Sequence, residues 1–399
     1  MRVCGIKART IFDSRGELTL EIELEDENGR SFSAAVPAGK SKGGKEAVVQ
    51  IPEKAKEAVE SILKKSLVGK TFLSIQEFDT QLLELDESKR KEVLGGNVVL
   101  GASLAAARGI AFEKKQELWE LLREEFFKKE KGMKPPLIFS NMINGGIHTK
   151  SPLDIQEYMV VAFPAPSLQE TVQNLIFFYE KIGVTLKERF QTDFLAIGDE
   201  DGYVGEFQNN REPLEILSEL LLKEKHQYSL ALDVAASTLR KGNTYFFEEK
   251  ALSSADIMKQ YQEYFSAFPQ LISIEDPFAE DDVESFQALL KKFPDKWIVA
   301  DDLSVTDKER IEELGEKKAM NAMVAKPNQV GTVLETCQAI QAAKGRGMKV
   351  IVSHRSGETK DAFLVAFARA ANADAVKIGA PAQERLLKFN ELLRLYTNG

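Results

Sequence analysis

The chain has 399 residues, 43% of them hydrophobic, enough for two domains of which one is a large single-core barrel, so disorder is not its default state. Its 53 basic and 62 acidic residues leave a formal charge of -9, which works against a nucleic-acid partner held by phosphate contacts. Cys4 and Cys337 lie far apart in no CxxC spacing, and no apolar run approaches the roughly eighteen residues of a membrane span, which excludes a disulfide framework, a cysteine zinc site and membrane insertion. The expectation is a cytoplasmic protein in a reducing compartment.

In chain order, "TLEIEL" at 19–24 alternates, "EDENGR" supplies an Asn28-Gly29 turn and "SFSAAV" runs to Val36, which predicts a β-hairpin. "VPAGKSKGGKEA" at 36–47 follows. Its Gly39-Lys40-Ser41 suggests a phosphate-binding P-loop, but the GxxxxGK[ST] pattern needs glycine at 34, where Ala34 stands in the strand. Ala55, Val59, Ile62 and Leu63 keep helical spacing, and "SIQE" at 74–77 is a capping box ahead of Phe78, Leu82 and Leu85. "GNVVLGASLAAARGIAF" predicts a small-residue helix packed closely on a neighbour. The charged segment "REEFFKKEKGMKPP" at 123–136 marks a boundary between an N-terminal α+β domain, 1–128, and a second domain, 129–399.

Beyond it, six apolar runs end abruptly in an ionisable residue: Asp233, Glu275, Asp301, Lys326, His354 and Lys377, spaced 23 to 42 residues apart. Helical stretches such as "SFQALLKKF" and "VLETCQAIQAAKGRG" lie between them. Continuous apolar strands alternating with helices predict a parallel sheet covered by helices and, repeated this often, a TIM-like (β/α)8 barrel. Active sites of such barrels sit at the C-terminal ends of the strands, so all six residues are expected at one mouth.

Asp233, Glu275 and Asp301 converging there would repel one another without a cation, and oxygen ligands alone favour Mg2+ over zinc. Each acid taken singly could instead be a strand-end ion pair. A buried lysine beside metal charge, Lys326 or Lys377, is expected to have a lowered pKa and to serve as a general base. Of the three histidines, His148 and His354 fall in glycine- and polar-rich loops, whereas His226 reads as a surface residue. Arg355 and Ser356 offer a forked cation and a hydroxyl suited to a phosphate. Glu157 and Glu200 complete the set; neighbouring negative charge around Glu200 favours a raised pKa and a general acid. A calcium-loop reading of "GDEDGY" lacks the EF-hand spacing.

These residues carry a resemblance. "ARTIFDSRGELT", "NMINGGIHTKSPLDIQEYM", "IGDEDGY", "SIEDPFAEDD", "VADDLSVT", "AKPNQVGT", "VSHRSGET" and "VKIGAPAQERLLKFNELLR" run in order from residue 8 to residue 395 and resemble the enolases, the phosphopyruvate hydratases. The resemblance implies an enolase-type barrel with a smaller N-terminal domain, and dehydration of 2-phosphoglycerate to phosphoenolpyruvate in glycolysis and gluconeogenesis. It implies two Mg2+ per site, the first held by Asp233, Glu275 and Asp301, the second arriving with substrate and helped by Ser41. Lys326 would be the base and Glu200, paired with Glu157, the acid. Arg355 and Ser356 would hold the phosphate and Lys377 the carboxylate; His148 and His354 would close over the substrate, with Gln156 at its border. It also implies a homo-oligomer, a dimer or an octamer.

The chain departs from the family's "PSGAST" at Ala38, Lys40 and Lys42, and from "GDEGG" at Asp201. Lys40 and Lys42 are expected to add cationic attraction for the substrate phosphate. The alternatives are a related dehydratase with an altered lid and substrate range, and an additional role in surface binding, from a cell-surface or secreted pool, or in an RNA-degradation assembly.

Overall fold

The computed structural model describes residues 1–40, 43–149, 151–164, 166–224 and 226–397. Strands β1 (Gly5–Phe12), β2 (Leu18–Glu25) and β3 (Ser31–Ala35) form an antiparallel meander. The hairpin foreseen at Asn28-Gly29 joins β2 to β3, with Leu24 opposite Phe32. Asp26 fixes the turn by accepting the amides of Asn28 and Arg30, both at 2.9 Å, while Gly29 takes a φ of +72° that costs glycine no Cβ clash. β1 adds the edge strand that the sequence pattern hid: Ile6 is buried, but Lys7 and Arg9 face solvent.

The helix Ile75–Leu85 starts as foreseen, with Ser74 Oγ accepting the Glu77 amide at 3.1 Å. The Glu77 carboxylate reaches back one residue further than a capping box requires, to the Leu73 amide at 2.8 Å. The small-residue helix Gly96–Glu113 lies buried across β2 and β3. Its glycines serve that packing: a Cβ on Gly101 would stand 2.4 Å from Ile22 Cγ1.

Eight strands close the barrel: β4 (Leu137–Asn144), β5 (Glu157–Ala162), β6 (Tyr228–Asp233), β7 (Leu271–Glu275), β8 (Trp297–Ala300), β9 (Ala322–Ala325), β10 (Lys349–Ser353) and β11 (Ala375–Ile378). β11 returns to β4 with Ala375 opposite Leu137. The interior is filled by Phe139, Met159, Val161, Ala231, Val299, Val324 and Ile351, so the barrel is a packed core.

One strand departs from strict (β/α)8 alternation. β5 runs antiparallel to both β4 and β6, because residues 145–156 return the chain without the crossover helix that a parallel pair needs. The reversal puts the first residue of β5 at the mouth where its neighbours end, so that Glu157 lies opposite Asp233.

The N-terminal elements dock over this mouth. Ala38 and Gly357 exchange backbone hydrogen bonds at 2.8 and 2.9 Å, and Arg108 forks onto Asp361 at 2.5 and 2.8 Å. Among the described residues no helix is long and apolar enough to cross a membrane.

Candidate active site

The strand ends meet as the sequence foresaw. Asp233 and Glu275 close β6 and β7 side by side in register, and Asp301, Lys326 and His354 each follow the last residue of β8, β9 and β10. Lys377 projects from within β11, opposite Ser353. Gln156, Glu157, Glu200, Asp233, Lys326, His354, Arg355, Ser356 and Lys377 line one polar cavity at the mouth, and Gly39 of the opening loop forms part of its wall.

Two lysines neutralise the acids. The buried Lys377 Nζ donates to Asp233 Oδ2 at 2.8 Å and Glu275 at 2.9 and 3.0 Å, and stands 3.1 Å from Glu157 Oε1. Burial alone would lower its pKa, but the Asp233, Glu157 and Glu275 carboxylates outweigh burial and hold it well above the ordinary lysine value. Lys326 pairs with Asp301. The lowered pKa expected of Lys326 is not what this geometry gives: burial pulls it down, yet the adjacent Asp301 charge raises it. The lysine becomes a base only where Asp301 is engaged by another cation.

The donor set suits such a cation. Burial, then Asp233, push the Glu275 carboxyl well above its usual range despite Lys377, so a cation beside the acids would be favoured. Among the described residues, Asp276, Asp301 and Asp302 each bring a carboxylate oxygen within 4.8 Å of the others, so this buried group, which shares Asp301 with the expected triad, could hold a metal ion. Asp276, however, already accepts the amides of Asp301 at 3.1 Å and Asp302 at 2.7 Å. It aims Asp301.

On the other wall, Glu200 accepts from Asn141 Nδ2 at 3.3 Å and stands 3.5 Å from His354 Nε2. Burial and the Glu200 charge raise the Glu157 carboxyl well above its usual range, so Glu157 holds a proton more readily than an exposed glutamate. Burial lowers His354 to about 4 despite Glu200, which leaves the imidazole neutral near pH 7. Gln156 Oε1, Glu157 Oε2 and both His354 ring nitrogens are buried without a hydrogen-bond partner among the described residues. Orphaned polar atoms around one cavity are the mark of a ligand site.

Residues with no sequence signal of their own complete the site. Glu46 holds the Arg355 guanidinium at 3.2 and 3.3 Å and accepts Gln329 Nε2 at 3.2 Å, while Gln329 also donates to Asp301 at 2.9 Å. The fully buried Arg385 donates to the backbone oxygens of Arg355 at 2.8 Å, Ser356 at 2.7 Å and Asp199 at 2.8 Å. Arg15 reaches Ser356 Oγ at 3.4 Å. His226 is half-buried, 3.2 Å from Asn174 Nδ2, away from the mouth. Ser41 and Lys42 lie outside the described residues, as does the His148 side chain, although its backbone falls in the turn Gly146–His148 next to the site. Lys40 does not point its charge at a phosphate site but at Asp199 Oδ2, 2.7 Å away.

Comparison with known proteins gives the same reading over both parts of the chain. Residues 3–122 match the family model described as "Enolase, N-terminal domain", and residues 133–398 the one described as "Enolase, C-terminal TIM barrel domain". Curated enolases of Elusimicrobium minutum and Anaplasma marginale are each 37% identical over 99% of the chain and 95% and 94% of their own lengths. The enolase of Methanocaldococcus jannaschii is 36% identical over 98% of the chain and 94% of its own length. On sequence, fold and the residues gathered at its mouth, the chain belongs to the enolase family.

Proposed function

We propose that the chain is a hydro-lyase, a phosphopyruvate hydratase that reversibly dehydrates 2-phosphoglycerate to phosphoenolpyruvate in glycolysis and gluconeogenesis. The observation that carries this reading is the placing of Lys326 and the Glu157–Glu200 pair around one cavity that also presents Arg355, Ser356 and the strand-end Asp233. The reaction removes a proton beside a carboxylate and expels a hydroxyl from the next carbon, so it needs a base and an acid on separate sides of a small anion.

Lys326 is the base at C2. Glu200, paired with Glu157, donates the proton that turns the C3 hydroxyl into water. Arg355, aimed by Glu46, and Ser356 bind the phosphate; Lys377 binds the carboxylate, with Gln156 at the cavity edge. His148 and His354 cover the substrate, and the neutral His354 does so without adding charge. Asp233, Glu275 and Asp301 would hold one Mg2+ and Ser41 would help hold a second; when bound, they would supply positive charge to the electron-rich substrate carboxylate, the pairing with a lysine base that is the established pattern of the enolase superfamily. Residues 1–128 act as the capping domain over 129–399. A cytoplasmic homo-oligomer, a dimer or an octamer, follows from the family.

The test is direct. Purified protein with 2-phosphoglycerate and Mg2+ should develop the ultraviolet absorbance of the enol product, and EDTA should abolish it. Lys326→Ala should stop exchange of the C2 proton with solvent deuterium, whereas Glu200→Gln should keep exchange and lose dehydration. Absence of product with Mg2+ present, or exchange surviving in Lys326→Ala, sinks the assignment.

A further inference from the structure

Lys40 stands on the opening loop at the position where the enolase pattern has alanine. Its Nζ donates to Asp199 Oδ2 at 2.7 Å, and its backbone amide donates to Ser356 Oγ at 2.9 Å. Arg385 ties the Ser356 and Asp199 backbones together, and the Glu200 carbonyl accepts the Ala380 amide at 2.9 Å. The Lys40–Asp199 contact closes a ring. It links the opening loop, the phosphate-binding segment, the buried Arg385 and the segment carrying Glu200.

We infer that the Lys40–Asp199 ion pair latches the opening loop onto the segment that bears Glu200, which makes Lys40 a positioning residue for the reaction. Next to the pair, the hydrogen bonds that flank Lys40 on the loop include the Ala38–Gly357 bridge and the Lys40 amide behind it, and Gly43 and Gly44 ahead of it on Glu46 and Glu280. The side chains are 41% and 23% exposed, so the pair is screened and its effect is modest. A latch formed before substrate arrives lowers the ordering cost of binding, and its loss appears in KM before kcat.

The inference rests on the proposed reaction for its kinetic arm but not for its structural one. In the ligand-free protein, hydrogen exchange of the peptide spanning 36–47 should be faster in Lys40→Met and Asp199→Asn, and return to the native rate in Lys40→Arg and in the swapped pair Lys40→Asp/Asp199→Lys. Unchanged exchange in both single variants overturns the latch. With 2-phosphoglycerate, both single variants should raise KM, by up to about fivefold, and the double neutral variant should be no worse than either single. If Lys40 instead attracts substrate phosphate, Asp199→Asn frees it and lowers KM, which also overturns the latch. An inactive native protein would remove the proposed reaction while leaving the exchange result to decide the latch.

Discussion

Gly39 lies flat against the guanidinium of Arg355: a Cβ at this position would stand 1.7 Å from Nη2 and 2.4 Å from Cζ. The contact joins the opening loop to the residue assigned to the phosphate, and Glu46 holds the same guanidinium from the loop's far end.

Gly39→Ala therefore forces either the loop or Arg355 to move. The guanidinium is buried and held by Glu46 and Asn328, so the loop gives way. An overpacking cost of about 1–3 kcal/mol corresponds to a loss of about ten- to hundredfold in kcat/KM with little change in overall stability. Steady-state kinetics beside a thermal melt checks it; unchanged kcat/KM would mean that the loop does not close on Arg355.

Lys377→Met removes the ammonium shared by Asp233, Glu275 and Glu157. Breaking a buried pair from one side leaves uncompensated charge and costs about 3–5 kcal/mol. The loss of Tm should be larger in EDTA than in Mg2+, because a divalent ion on Asp233 and Glu275 replaces part of the missing charge. Equal losses in both would argue against metal binding at these two carboxylates.

The pattern that revealed the site was the abrupt change from apolar to ionisable at each strand end. It arises because strands buried on both faces must stay apolar until they reach the mouth, and it exposed Asp233, Glu275, Asp301, Lys326, His354 and Lys377 together. The direction of β5 had no such signal, since "EYMVVA" is buried throughout and reads the same in either sense. Nor did Glu46 or Arg385. Arg355 lies 309 residues from Glu46, and the partners of Arg385, Arg355, Ser356 and Asp199, lie 30, 29 and 186 residues away, so local spacing says nothing about them. Asp276 hid for a different reason: its carboxylate is spent on backbone amides, which any residue supplies.

His354 gives the native state a dependence on acid. Its folded pKa of about 4 is below the unfolded value, so between about 4 and 6.5 the unfolded chain binds the extra proton. Stability from this group is complete above pH 6.5 and is lost as pH falls toward 4, by about 3 kcal/mol in all. Urea unfolding at pH 7 and pH 4.5 should show a steeper loss for the native protein than for His354→Gln. Equal slopes would place the acid sensitivity elsewhere.

Asp201 is the last departure with a physical consequence. It occupies the position where the enolase pattern has glycine, and its φ of +62° lies in the left-handed region, disfavoured for a residue with a Cβ. Burial, then the nearby Glu384, push its carboxyl up to about 7, and its Oδ2 has no hydrogen bond among the described residues, with Arg385 Nε 3.8 Å away. An acid whose folded pKa exceeds its unfolded one binds more protons when folded, so stability falls as pH rises from about 4 to about 7 and the penalty is complete above that. Asp201→Gly removes both the strain and the buried charge. Solvent screening limits the gain to about 1 kcal/mol at pH 8, and the gain should shrink toward pH 4.5, where Asp201 is protonated in the fold. Urea midpoints of the two proteins at both pH values test this: a variant that is less stable than the native protein at pH 8 would mean that Arg385 draws more from Asp201 than burial takes away.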